Sequence, residues 1–470
     1  MSDITELSAT ALAKAIRARK VSAAEAVEAV LARIAAGTRL NAFITSCPER
    51  ARQEARDADA MLARGDAAGP LHGLPFSAKD LINTAGVRTS FGSRLNPGFM
   101  PMSDGLAVAR ARQVGAILVG KTTTPEFGHK PFTEGPLFGR TLNPWREDVT
   151  CGGSSGGAAV AVAAGMGPLA LGTDGGGSIR IPAACCGVVG LKPTLGAVAN
   201  LQPQDLFGAS SYVGPMARNI ADTRLLFDAI AGPDKGDPYG QAVPPKPARQ
   251  ELTRIGWLLT CGNKVTPEVA RVTGAALALA PQLGLTVEPV EIDFVALEEA
   301  FLVILRATLA ARLGGIAAKN PERFDPTLLG AIEAGRRYAA TDLVEAQNIR
   351  TAYFRKVQDL FERVDAIASP TLSAPPLPVG TDPLAPITIE GRAFSGLRGA
   401  WYPYTYPFNL TGHPALSLPC GLTQDGLPLG LQLVGRWHED HLLLDLAEKF
   451  ESAIGFTARP PQPSPEKALA

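Results

Sequence analysis

Past Ser22 the chain falls into a helical rhythm. Val27, Val30, Leu31 and Ile34 recur at the i, i+3, i+4, i+7 spacing of one apolar stripe. Ser22-Ala-Ala-Glu25 just ahead of them has the form of a capping box, which predicts where that helix starts. Residues 50–64 read as a second, more charged helix. From Leu71 the texture changes to short apolar strings broken by Gly and Pro, the mark of strands and loops alternating with helices. Residues 105–114 fit a helix and 116–119 a buried strand. Residues 155–164 fit a helix of small residues, with a strand over 169–171. Pro- and Gly-rich stretches at 232–248 and 369–386 read as long connections. Between them, 265–365 carries clear helical periodicity, for example over 343–361. The tail from Arg459 reads as frayed. This alternation of elements argues for an α/β fold.

Composition narrows the function classes. The chain has 470 residues, 46% of them hydrophobic, enough for a deep core. Lys plus Arg and Asp plus Glu are both 45, so no excess charge draws the chain to nucleic acid or an anionic membrane. Asp3 and Glu6 stand where a signal peptide carries basic residues, and no apolar segment follows them. The longest nearly apolar run noticed, 158–171, is shorter than the roughly 18 residues that span a bilayer. Six scattered cysteines form no disulfide framework. The expectation is a soluble, cytoplasmic protein with a small ligand, no nucleic acid and no membrane.

Three short patterns mislead. Gly115-Ala-Ile-Leu-Val-Gly120-Lys121-Thr122 matches the phosphate-loop letters, but that loop is polar and lies between a strand and a helix. Here the four middle residues are apolar and read as the strand itself. Gly152-Gly-Ser154-Ser-Gly156 matches the nucleophile elbow, which needs a strand directly before it and a histidine later; the residues before it are turn-rich. Ser464-Pro-Glu-Lys467 lies in a Pro-rich tail that cannot hold a rigid site. His72, His129, His413, His438 and His441 assemble no metal-ligand set by spacing.

The chemistry concentrates in residues 152–182. Two Gly/Ser-rich loops flank an apolar stretch of small residues, and Gly175-Gly176-Gly177 stands directly before Ser178. Backbone amides bared by three glycines can form an oxyanion hole from residues 175–178. Taken alone, the same run reads equally as a glycine turn with a capping serine. The wider pattern resembles the amidase signature family. That family carries a G-L-P-x-x-x-K-D motif, matched here by Gly73-Leu-Pro-Phe-Ser-Ala-Lys79-Asp80, and a T-D-x-G-G-S-I-R ending, matched by Thr173-Asp174-Gly-Gly-Gly-Ser178-Ile-Arg180. Gly175 is a departure, since the family more often has Thr or another side chain there. Lys121-Thr-Thr-Thr-Pro-Glu-Phe-Gly128, Cys186-Gly-Val-Val-Gly-Leu-Lys-Pro193, Pro407-Phe-Asn-Leu-Thr-Gly-His-Pro414 and Gly426-Leu-Pro-Leu-Gly-Leu-Gln-Leu-Val-Gly435 follow in the family's order.

The resemblance implies one α/β domain over 1–470 with a central mixed β-sheet flanked by α-helices. Within it, 1–65 would form N-terminal helices, 66–235 the signature core, 265–365 a variable helical cap and 366–457 the return to the core, with 458–470 a frayed tail. It implies Ser178 as nucleophile, Ser154 as bridging serine after a cis Gly153–Ser154 peptide, and Lys79 as general base. Thr173, Asp174 and Arg180 would brace the loop. No metal or organic cofactor is required. For lysine to act as a base its pKa must fall from about 10.4, which burial among groups such as Leu74, Phe76 and Leu81 can supply. Asp80 must then point elsewhere. The implied reaction is hydrolysis of a small, fairly apolar amide, anilide or carbamate, urethane cleavage included. Phe132, Phe138, Tyr212 and Trp401 are pocket candidates, although such rings are more often core. The alternative is the amide-cleaving component (the A subunit) of a tRNA-dependent amidotransferase. Against it, that component's G-F-G-x-E-V-x-R-R-I helix is replaced here by Leu329-Gly-Ala-Ile-Glu-Ala-Gly-Arg-Arg-Tyr338. A homodimer is compatible with the family.

Overall fold

Ser22 opens the first long helix as its spacing requires. Its side chain accepts the Glu25 N–H, the Glu25 carboxylate accepts the Ser22 N–H, and Ala23–Ala36 follows. The computed structural model describes residues 3–66, 68–208, 211–240 and 251–461. The charged helix of the sequence spans Pro48–Ala63 and buries only Ala51 and Ala55.

Among the described residues a mixed sheet of eleven strands forms the centre. In chain order these are β1 (Phe43–Ser46), β2 (Pro75–Lys79), β3 (Ile117–Thr122), β4 (Leu169–Asp174), β5 (Val189–Lys192), β6 (Tyr212–Ala217), β7 (Arg254–Trp257), β8 (Thr286–Pro289), β9 (Ala366–Pro370), β10 (Ala415–Leu422) and β11 (Pro428–Val434). Across the sheet they run β1-β3-β2-β4-β6-β5-β10-β11-β9-β7-β8. β3, β2 and β4 are parallel neighbours, and β6, β5, β10 and β11 continue antiparallel. Every residue of β2, β3 and β4 is buried, as parallel strands covered on both faces must be. Lys79 and Asp174 both end their strands, so the carboxyl edge of this parallel trio is where side chains from different strands meet. The α/β class with a central mixed sheet flanked by helices is what the sequence implied.

Several boundaries move, each because a ladder continues. The strand expected at 116–119 runs to Thr122, since Gly120 and Lys121 still pair with Ser77 and Ala78. The strand expected at 169–171 runs to Asp174, paired with Tyr212. The connection expected from 369 begins after Pro370, because Ser369 and Pro370 pair with Gln432 and Leu431. Part of the 232–248 connection and the tail beyond 461, including Ser464–Lys467, lie outside the described residues.

Helix α1 (Gly156–Ala163) is buried along its whole length, which its glycine, alanine and valine side chains permit. A Cβ on Gly157 would stand 2.5 Å from the Thr123 amide nitrogen and 2.6 Å from the Ala42 carbonyl oxygen. That close approach seats the helix against the end of β3. Helix α2 (Arg180–Cys186) follows the glycine loop. The 265–365 region supplies α3 (Val295–Ala317), α4 (Pro326–Gly335) and α5 (Ala340–Arg363). Helix α3 is long and apolar enough to cross a membrane by composition, a feature the reading of 158–171 as the longest apolar run overlooked. Leu297, Ala300 and Phe301 pack it on α5 through Tyr353 and Val357, and Leu309 and Leu313 pack it on α4 through Leu328 and Ile332.

Gly157→Ala is expected to cost about 2–3 kcal/mol, because the methyl group must displace backbone atoms. Gly274→Ala should instead gain about 0.5–1 kcal/mol, its helical site being open within 4 Å. Urea midpoints of the two variants against the parent check the contrast.

Candidate active site

The site grows from the end of β2. Lys79 is wholly buried, and its Nζ donates to Ser154 Oγ at 2.6 Å, Ser155 Oγ at 2.9 Å and Thr173 Oγ1 at 2.8 Å, with the Thr173 carbonyl at 3.3 Å. None of these partners is an anion. Burial therefore pushes the ammonium pKa well below its ordinary value, and the Asp174 carboxylate opposes the shift only in part. Asp80, next in sequence, turns away as expected. Its Oδ2 accepts the N–H groups of Ser90 and Gly92 and the Ser90 hydroxyl.

Ser154 follows a cis Gly153–Ser154 peptide. Its loop presses against Gly128, where a Cβ would stand 3.2 Å from Ser154 Oγ. Ser155 is a functional side chain that the sequence reading passed over. Its N–H donates to the Ser178 carbonyl at 3.0 Å, tying the two serine loops together. Its hydroxyl donates to the Thr173 carbonyl at 3.0 Å while accepting from Lys79 and from the Thr173 amide. The Ser155 proton is thus committed. Of the two serine hydroxyls beside the amine, Ser154 is the one whose proton meets no acceptor among the described residues. The paired serines of Gly-Gly-Ser-Ser-Gly-Gly were the available signal.

Ser178 is half-buried and sits between Gly177 and the start of α2. The glycine loop before it is held from below by a buried ion pair. Arg180 Nε meets Asp174 Oδ2 and Nη2 meets Asp174 Oδ1, each at 3.0 Å, with both side chains closed to solvent. Arg180 also donates to the Thr405 carbonyl, Gln432 Oε1 and Asn409 Oδ1, and Asn409 Nδ2 returns to Asp174. Burial alone would raise the Asp174 pKa. Arg180 and Asn409 outweigh it and hold the carboxyl well below the usual range. Asp174 Oδ1 accepts the Gly177 N–H at 2.6 Å, and Gly177 takes a φ of 123° that favours glycine. The Gly177 amide, one of four expected to face an oxyanion, is therefore occupied. Among the described residues the amides of Gly175, Gly176 and Ser178 meet no acceptor.

Among the four aromatic candidates, Phe132 and Trp401 are the pair in ring contact. Tyr212 is buried on β6; its hydroxyl donates to the Asn409 carbonyl at 2.6 Å and Lys192 Nζ sits 3.8 Å from its ring centre. Trp401 and Phe132 pack together in the core, ring centres 5.9 Å apart, and the Trp401 indole donates to the Ala374 carbonyl. Phe138 is half-buried beside Gly135. Phe301, unremarked in the sequence, comes closer to the site: its ring edge would stand 2.9 Å from a Cβ on Gly176.

The rival motifs fall away on geometry. Lys121 lies within a buried strand and donates to the Ile82 carbonyl, Thr84 and Thr89, its pKa lowered by burial to about 8. The stretch before Gly152 makes only isolated bridges, at Val149 and Thr150. The partner of Ser154 is an amine, while His413 is stacked on Phe354 and Phe361 and bonded to Thr411.

Comparison with known proteins agrees with this architecture. The Amidase family model matches residues 25–444. An acylamidase from Rhodococcus erythropolis is 34% identical over 97% of this chain and 98% of its own length. The A subunit of a glutamyl-tRNA(Gln) amidotransferase from Picosynechococcus is 34% identical over 95% of this chain and 97% of its own. The crystal structure of a bacterial aryl acylamidase of the amidase signature enzymes superposes with a TM-score of 0.88 at 27% identity, covering 95% of this chain and 96% of that one. A β2 lysine, a Gly/Ser-rich helix start and a glycine loop braced by Asp174 and Arg180, within a fold and sequence shared so fully, place the chain in the amidase signature family of enzymes acting on C–N bonds.

Proposed function

We propose that this chain hydrolyses the C–N bond of a small, fairly apolar amide (an aryl or alkyl amide, an anilide or a carbamate) through an acyl-enzyme on Ser178. The observation that carries the reading is the contact of 2.6 Å between Lys79 Nζ and Ser154 Oγ in a pocket with no anion bonded to the amine. A lysine kept neutral by burial is a base, and Ser154 is the hydroxyl free to relay a proton to it. Ser178 Oγ attacks the carbonyl carbon, its proton passing to Ser154 as the Ser154 proton passes to Lys79. The amides of Gly175, Gly176 and Ser178 receive the oxyanion, while Asp174 holds the Gly177 amide and so fixes the curve of the loop. Ser154 then protonates the departing nitrogen and recovers a proton from Lys79. Water, deprotonated through the same pair, releases the acid and frees Ser178.

A role as the amide-cleaving component of a tRNA-dependent amidotransferase is the second reading, favoured by the relatives of that name. The two diverge in a simple assay. The purified chain should cleave a p-nitroanilide without a partner and release little ammonia from glutamine; rapid partner-dependent ammonia release from glutamine with inert anilides would support the second reading instead.

Ser178→Ala and Lys79→Ala should each lower kcat by several orders of magnitude, up to roughly 10^6-fold, and the double variant should lose little more than either single one. Full activity in Ser178→Ala would refute the assignment. Because only the neutral amine works, kcat/KM should rise with pH through the depressed Lys79 pKa and fall away below it. A rate that instead declines across that range would show the lysine acting as an acid.

A further inference from the structure

Two arginines flank the loop that carries Ser178, and their surroundings differ. Arg180 is saturated, each of its guanidinium nitrogens bonded to a carboxylate, an amide oxygen or a carbonyl. Arg398 is half-buried and makes no hydrogen bond or ion pair among the described residues. Its Nε is closed to solvent without a partner. Aromatic faces hold it instead: the guanidinium carbon lies 4.8 Å from the centre of the Phe301 ring and 5.6 Å from that of Tyr402. Glu298 is the acid that shares its field. That carboxylate accepts the Gly399 N–H at 3.1 Å, and burial raises its pKa while Arg398 opposes the rise.

The position matters because of Phe301. Its ring packs directly against Gly176, so Arg398 stands one aromatic ring away from the glycine loop. Closing the Nε–H of a guanidinium to water without an acceptor costs free energy, while the rest of the Arg398 side chain stays part-exposed and open to a ligand. Contact with two aromatic rings also restrains the guanidinium, which lowers the entropy cost of presenting its fork to a carboxylate.

We propose that Arg398 is a specificity residue that receives an anionic oxygen group, a carboxylate at the far end of the acyl portion of the substrate. The preferred amide then has an apolar acyl stretch, lying along Phe301, that ends in a carboxylate. This rests on Ser178 being the nucleophile and narrows that reading to a class of acyl group.

The test compares glutaryl p-nitroanilide with pentanoyl p-nitroanilide, two acyl chains of equal length that differ in the terminal carboxylate. The parent enzyme should favour the glutaryl compound in kcat/KM by about ten-fold or more, mostly through KM. Arg398→Gln should bring the ratio near one, and Arg398→Lys, which keeps the charge and loses the fork, should restore part of it. A second arm uses Ser178→Ala protein and calorimetric binding of glutaric acid monoanilide against pentanoic acid anilide. Tighter binding of the acid that Arg398→Gln abolishes supports the proposal. A parent ratio near one, a ratio unchanged in Arg398→Gln, or equal or undetectable binding of the two anilides overturns it. Turnover of both anilides that survives Ser178→Ala would sink the nucleophile assignment while the ratio still reads on Arg398.

Discussion

An amine enclosed with hydroxyls and a carbonyl, and with no carboxylate bonded to it, is the condition on which the rest of the site depends. Water stabilises an ammonium ion far better than three hydroxyls and a carbonyl can, so burial alone drives Lys79 toward the neutral form. Asp174 opposes this only in part, and Asp80, next in sequence, faces another turn. Asp80 spends one oxygen on the Ser90–Gly92 turn, and Asp174 is held by Arg180 and Asn409. Because Arg180 and Asn409 take up Asp174, Lys79 is left without an anion bonded to it.

The same ion pair does structural work at a distance. Arg180 and Asp174 are six residues apart, but their remaining partners, Thr405, Asn409 and Gln432, come from the other end of the chain. A buried pair is stable only when its spare donors and acceptors are met, and here they are met by the closing strand and the turn that precedes β10. The loop carrying Ser178 is therefore shaped by residues more than 200 positions away in sequence.

Much of this was legible in the chain because small residues and serines in a fixed order leave few alternatives. The capping box at Ser22 and the small-residue helix followed from local chemistry, and the turning away of Asp80 from the base role that the resemblance implied for Lys79. The strand ends did not, since Gly120-Lys121 and Thr173-Asp174 join their ladders through partners that periodicity cannot identify. Ser155 was passed over because a second serine in a Gly/Ser run reads as filler until its proton is traced to Thr173. Tyr212 and Trp401, attractive as pocket rings, have their polar atoms bonded to the backbone at Asn409 and Ala374. Phe301 gave no local signal, because its position beside Gly176 comes from the tertiary packing of α3.

Helix α3 divides labour within the molecule. The lysine, the serines and their ion pair are borne by the sheet and the two short helices pressed upon it, where Gly157 and its neighbours leave no slack. Phe301, whose ring packs against Gly176, arrives on a separate helix that packs mainly on α4 and α5 and also meets Tyr406 and the turn at Gly399. Substitutions along α3 can reshape the space beside the glycine loop while Lys79, the serines and the Asp174–Arg180 pair keep their places. A fold built this way leaves one packing surface beside the loop open to change, which accords with relatives named as an acylamidase and as an amidotransferase subunit.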